Sequence, residues 1–84
     1  MLTTDQARAT VVEAIARVAP DVADEIEGLD PSVDLWDALE LDSMDHVNVM
    51  TQLTERTGVD IPERDYPELR SIESLIAHLL RSTG

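Results

Sequence analysis

With 84 residues the chain has room for one domain and one core, because folding at this length buries only roughly 60–65% of the unfolded surface and leaves little for a deep catalytic cleft. An apolar fraction of 43% suits a globular protein, the lack of Phe with one Trp and one Tyr makes the core aliphatic, and the absence of cysteine excludes disulfides, thiolate metal sites and cysteine nucleophiles. A net charge of −12, from 18 acids against six bases that are all Arg, repels nucleic acid and anionic lipid and favours proteins with basic patches.

From the N-terminus, "TTDQARATVVEAIARVAP" predicts a helix over about residues 4–18. Thr3 and Gln6 have the spacing of a capping box, Asp5 suits the first turn, and Pro20 stops the helix. Ala7, Val11, Ala14, Ile15 and Val18 form its apolar stripe. Residues 20–41 read as a long connection. Gly28 and Pro31 interrupt any continuous helix there, yet Val22, Ile26, Leu29, Val33, Leu35, Trp36, Leu39 and Leu41 let it pin itself to the core. A second long helix is predicted over about 43–57, with Gly58 as its stop and Met44, Val47, Val49, Met50, Leu53 and Thr54 facing inward. "VDIPERDYPELR", with Pro62 and Pro67, has room for one short helical turn at most. "SIESLIAHLLRS" predicts the last helix, capped by Ser71 and striped by Ile72, Leu75, Ile76, Leu79 and Leu80.

No stretch alternates with the period of a strand. The expectation is an all-α fold, a small four-helix bundle of three main helices and one short helix, with a long loop between the first two. Residues 1–84 read as a single domain. No apolar run approaches the ~20 residues of a membrane span. The opening "MLTTDQARA" lacks the basic-then-apolar order of a secretory signal, so a soluble, cytoplasmic monomer is expected.

The charge is unevenly spread. No Lys or Arg lies between Arg17 and Arg56, a stretch that carries eleven acids from Asp21 to Glu55. Part of it, "DPSVDLWDALEL", begins like an EF-hand, with Asp30, Ser32 and Asp34 at the first three ligand positions. Leu35 then stands where the sharp turn needs Gly and Leu41 where the bidentate Glu belongs, so no calcium loop is expected. No pair of histidines has metal-ligand spacing, and no metal site is assigned.

Ser43 lacks the G-x-S-x-G elbow of a hydrolase. His46 follows three residues later on the same helix, but no third group or oxyanion site accompanies it. It reads as a solvated helix residue, and His78 as a surface or boundary residue. No catalytic residue is assigned. A serine with no base, at the first turn of a helix and after a loop that exposes it, fits a hydroxyl modified by another protein. The free amides and dipole of that helix end favour a phosphate attached there.

Around this serine the chain resembles the acyl carrier protein family. The resemblance rests on "LELDSMDHVNVMTQL", on "VDIPERDYPEL" and on "SIESLIAHL", and runs ungapped from about Leu29 to Leu80. It implies an acyl-carrier-like bundle and a specific role. A phosphopantetheinyl transferase would move 4′-phosphopantetheine from coenzyme A to Ser43 as a phosphodiester. The thiol at the arm's end would carry an acyl or aminoacyl group as a thioester. The protein itself would not be an enzyme. It would shuttle its cargo between an acyl-loading ligase or transferase and downstream acyl-processing enzymes with basic patches. By position, Asp42, Met44, Asp45 and Val47 are the implied docking residues, the carboxylates for partner Arg or Lys and Met44 as an adaptable apolar contact.

The chain departs from the family pattern at particular residues. Glu40 stands where a Gly is usual, two residues before the Asp-Ser pair. Asn48 and Thr54 stand where fatty-acid carriers have Glu, Thr57 replaces a usual Phe, and Trp36 is unusual in the loop. The double Gly of peptidyl carriers is missing, and Asp45 stands where D-alanyl carriers have Gly. These departures point away from a housekeeping fatty-acid carrier and toward a specialised lipid, secondary-metabolite or amino-acid pathway. The competing expectation is an acidic helical adaptor that binds a basic partner without the modification.

Overall fold

Helix α1 (Thr4–Val18) begins at a reciprocal cap. In the computed structural model, which describes residues 2–83, the Gln6 amide donates to Thr3 Oγ1 at 3.1 Å and the Thr3 amide donates to Gln6 Oε1 at 3.0 Å. The pair satisfies amides that have no partner inside the helix. Ala7, Val11, Ala14 and Ile15 are fully buried, as their spacing predicts, and Val18 is half-buried. Two of these four are alanines, whose small side chains let neighbouring helices approach closely. α1 packs against both of the long helices that follow.

The connection predicted as a loop is built from helical turns. A 3-10 turn, Pro20–Val22, runs into α2 (Ala23–Ile26), and α3 (Leu35–Ala38) comes after a bend. Asp34 caps α3, its Oδ1 accepting from the amides of Trp36 at 3.1 Å and Asp37 at 3.2 Å. Val22, Ile26, Leu35, Trp36 and Leu39 are buried, so this segment forms a wall of the core. Three bonds stitch it to the chain just before and within the last helix. The Leu35 amide donates to the Arg70 carbonyl at 2.7 Å, Trp36 Nε1 to the Leu69 carbonyl at 3.0 Å, and the Glu73 amide to the Pro31 carbonyl at 2.9 Å.

Helix α4 (Ser43–Thr57) starts at Asp42, whose Oδ1 accepts the Asp45 amide at 2.9 Å. It ends at Gly58, which sits at φ 73° and donates its amide to the Thr54 carbonyl at 2.8 Å. The inward set expected from periodicity is corrected here. Val49, Met50 and Leu53 are buried and Thr54 is half-buried, but Met44 is 71% exposed and Val47 43% exposed. The inward stripe is instead His46, Val49, Met50, Leu53 and Thr57, spaced i, i+3, i+4, i+7 and i+11, with half-buried residues at its two ends. Met44 and Val47 fall off that stripe.

A 3-10 segment, Glu63–Glu68, spans six residues with Pro67 inside it. That is about two turns, where one was expected. Helix α5 (Ile72–Thr83) begins at Ser71, which exchanges two bonds with Ser74: each amide donates to the other residue's Oγ at 3.0 Å. Ile72, Leu75, Ile76 and Leu79 are buried and Leu80 is half-buried. Among the described residues there is no strand and no buried polar or charged side chain. The result is an all-α bundle of three long helices with short helical turns between them. Its Cα radius of gyration is 11.5 Å, so the connection is folded in and not splayed, since a folded chain this long has about 12 Å.

The Trp36 bond tests how the connection is held. Trp36→Phe keeps an aromatic ring and leaves the Leu69 carbonyl without its donor in a buried place. The expected cost is about 1–3 kcal/mol, read as a lower denaturant midpoint at unchanged slope. An unchanged midpoint would show that apolar burial alone holds the segment.

Candidate functional site

Ser43 is the first residue of α4 and is exposed. Its hydroxyl makes no hydrogen bond among the described residues. The turn before it sets its position. α3 ends in a Schellman motif, in which the Glu40 amide donates to the Asp37 carbonyl at 3.2 Å and the Leu41 amide to the Trp36 carbonyl at 2.8 Å. That motif needs left-handed backbone between them, and Glu40 has φ 54°. This is the position where the resembled family has Gly. The chain keeps the conformation glycine favours and places a glutamate in it, at a strain of roughly 1–2 kcal/mol.

Beside Ser43 runs a groove of about 420 Å³, lined by Ser43, His46, Val47, Glu63, Tyr66, Pro67 and Arg70. His46 is not the solvated residue expected. Its ring stacks on Trp36 with centroids 3.9 Å apart and planes at 28°, and Tyr66 lies on it at 5.2 Å and 25°. Its Nε2 is buried with no hydrogen-bond partner. Burial pushes the His46 pKa below the ordinary histidine value, the charge of Arg70 adds to this, and Asp34 opposes it. Burial pushes the Tyr66 phenol up, with the nearby charges of Glu63 and Asp60 adding to the rise. The three rings join α3, α4 and the 63–68 segment at the edge of the groove. His46 makes no hydrogen bond to Ser43 among the described residues.

The other sequence-predicted residues fall around the serine in different environments. Asp42 is exposed, as expected, but it is also the cap of α4. Asp45, expected to be exposed, is half-buried. Met44 and Val47, three residues apart, present apolar surface on one face at the start of α4. The EF-hand-like carboxylates are engaged locally. Asp30 Oδ1 accepts the Ser32 amide at 2.9 Å and its hydroxyl at 2.7 Å, and Asp34 caps α3 and pairs with Arg70 Nε at 2.6 Å. Among the described residues no group of three His, Cys, Asp or Glu side chains could hold a metal ion. His78 is half-buried, with Nε2 3.4 Å from the Asp60 carbonyl, in keeping with a boundary residue. Tyr66, Arg70 and the stacked role of His46 were missed from sequence. His46 lies on the inward stripe of α4, which is a usable signal. Tyr66 and Arg70 come from a distant segment, and no local spacing announces them.

These features fit a bulky group attached at Ser43: the hydroxyl is exposed and unbonded, and a groove with apolar and charged walls opens at its side. A family model described as the phosphopantetheine attachment site matches residues 9–79. The meromycolate extension acyl carrier protein of Mycolicibacterium smegmatis is 32% identical over 76 residues, covering 84% of this chain and 76% of its own length. The meromycolate extension acyl carrier protein of Mycobacterium tuberculosis is 31% identical over 75 residues, 83% of this chain and 64% of its own length. An acyl carrier protein of Rhodococcus erythropolis is 31% identical over 75 residues, 83% of this chain and 81% of its own. No solved structure matches significantly. The chain belongs to the acyl carrier protein family, whose cofactor is covalent 4′-phosphopantetheine.

Two predictions follow from the approach to Ser43 and from the ring stack. Glu40→Gly relieves the left-handed strain and is expected to stabilise by about 0.5–1 kcal/mol, while Glu40→Gln keeps the strain and loses only charge. Melting temperatures decide between them: equal shifts would assign the effect to charge. For His46, the folded pKa is depressed, so the unfolded chain binds the proton more readily. Its contribution is present above about pH 6.5 and is lost as pH falls through the folded value. The wild-type melting temperature should therefore drop relative to that of His46→Phe, which keeps a ring and cannot titrate, between about pH 7 and pH 5. Parallel profiles would show that His46 does not titrate with unfolding.

Proposed function

We propose that Ser43 is the attachment point of the 4′-phosphopantetheine arm and that the chain is a carrier, not a catalyst, in a specialised lipid-building pathway. The observation that carries this reading is the exposed, unbonded Ser43 hydroxyl at the start of α4, with a groove beside it and no base engaged with it. The relatives named for meromycolate extension support a chain-extension setting. When bound, the arm supplies a terminal thiol on which the cargo is held as a thioester. The chain's own residues present that arm. Asp42 and the α4 amides fix the serine, and the Trp36–His46–Tyr66 stack braces the groove.

Partner enzymes dock, in this proposal, on the first turn of α4. Met44 and Val47 offer exposed apolar contact, and Asp42 and Asp45 flank them with charge for Arg or Lys. The partners are a phosphopantetheinyl transferase, an acyl-loading ligase or transferase, and acyl-processing enzymes. The carrier acts as a cytoplasmic monomer of one domain, where coenzyme A is at hand. No helix of the described residues is long and apolar enough to cross a membrane.

The test is a mass measurement after incubation with coenzyme A and a promiscuous phosphopantetheinyl transferase. A gain of one arm is expected in the wild type and none in Ser43→Ala. No gain with several transferases would leave an acidic adaptor as the better reading, and a gain that persists in Ser43→Ala would move the site. Docking is tested in the same assay with Asp42→Asn, because Asn caps a helix as well as Asp. It should leave the melting temperature nearly unchanged and slow transfer by about three- to tenfold at low salt, less at high salt. An unchanged rate would remove Asp42 from the docking surface.

A further inference from the structure

Arg70 is the one arginine among the residues lining the groove beside Ser43. It stands out in a chain with net charge −12. Its side chain is half exposed, and only one of its five guanidinium donors is used within the described residues: Nε, to Asp34 Oδ2 at 2.6 Å. The ties between segments at this point do not use this side chain. The bonds that stitch the connection at this point are made by the carbonyls of Leu69 and Arg70 and by the Trp36 ring. The exposed Asp34–Arg70 pair adds little to stability. What the pair does is orient: it holds one edge of a planar fork and leaves the edge with the two Nη groups open.

An open guanidinium edge takes a phosphate or a carboxylate. Glu63 on the same groove repels anions, so an anion held here needs Arg70 to offset it. We propose that Arg70 is a positioning residue for the phosphodiester on Ser43, holding the near end of the arm along the groove between α4 and the 63–68 segment. This rests on the reading of Ser43 as the attachment point. It predicts that the arm is placed by the carrier itself before any partner docks. A neutral residue at position 70 leaves the arm attached and freer to swing.

The experiment compares apo and arm-bearing forms of the wild type, Arg70→Gln and Arg70→Lys. Mass first confirms attachment. A chain that takes no arm brings down the Ser43 reading and this one together. With the arm in place, two readouts are taken: the change in melting temperature on attachment, and the phosphorus-31 resonance of the phosphodiester. A purely structural role shifts apo and arm-bearing forms equally. The expected result is a change in melting temperature on attachment reduced by about twofold or more in Arg70→Gln, with the phosphorus resonance displaced, and an intermediate Arg70→Lys. Should glutamine unfold the apo protein, lysine provides the same comparison, since it keeps the charge and loses the fork. Equal attachment shifts and an unmoved phosphorus resonance overturn the proposal. An equal Arg70-dependent stabilisation of the apo protein by inorganic phosphate also overturns it, by making the fork a general anion site.

Discussion

The approach to the serine depends on a cross-tie between two segments far apart in sequence. The Leu35 amide and the Trp36 indole reach carbonyls of Arg70 and Leu69, and the Glu73 amide returns to Pro31. Hydrogen bonds of this kind contribute about 1 kcal/mol each, net of the water they displace. Burying the side chains of Val22, Ile26, Leu35, Trp36 and Leu39 contributes roughly 1.5–3 kcal/mol apiece. The apolar term is therefore the larger, and it explains why the connection collapses onto the core. It has no direction, however. The directional bonds choose which of the many collapsed arrangements forms, and so where α4 begins.

Trp36 concentrates that choice in one residue. Its indole nitrogen makes the tie, its backbone carbonyl accepts the Leu41 amide in the turn before Ser43, and its ring carries His46. A shift of Trp36 would move the tie, the turn and the stack at once. This over-determination accounts for Glu40. A left-handed glutamate persists only where the surroundings leave no alternative, and here both neighbouring amides are committed to α3 carbonyls.

The parts that were legible in the sequence were those set by local chemistry. α1 and α5 showed their caps and stripes, and α4 its stop at Gly58. The short helices were not legible, because four residues lie far below the length at which a helix holds by itself. The cross-tie holds α3 and the burial of Ile26 holds α2, and no local periodicity records either. The inward face of α4 was misread for another reason. Apolar residues were assigned inward and the histidine outward, yet the 3.6-residue period puts His46 in line with Val49, Met50 and Leu53. Stacking between two rings makes a half-buried imidazole tolerable there, and those rings arrive from separate segments. The exposed placement of Ser43 was legible because it needs only a polar residue at a helix start after a turn.

The exposure of Met44 and Val47 divides α4 into two parts. Its middle and end face α1 and the core through Val49, Met50 and Leu53, while its first turn buries little and presents apolar surface between carboxylates. Those carboxylates also serve the helix itself. Asp42 and Asp45 sit at the positive end of the helix dipole, which offsets part of the repulsion they would otherwise add to a chain at −12. The same end of the helix favours a phosphate on Ser43. On the proposed reading, three anions share one helix terminus, and each weakens its hold on the others. A cation on the far wall of the groove relieves that competition without removing the acids that partners need, and Arg70 is the residue in place to do it.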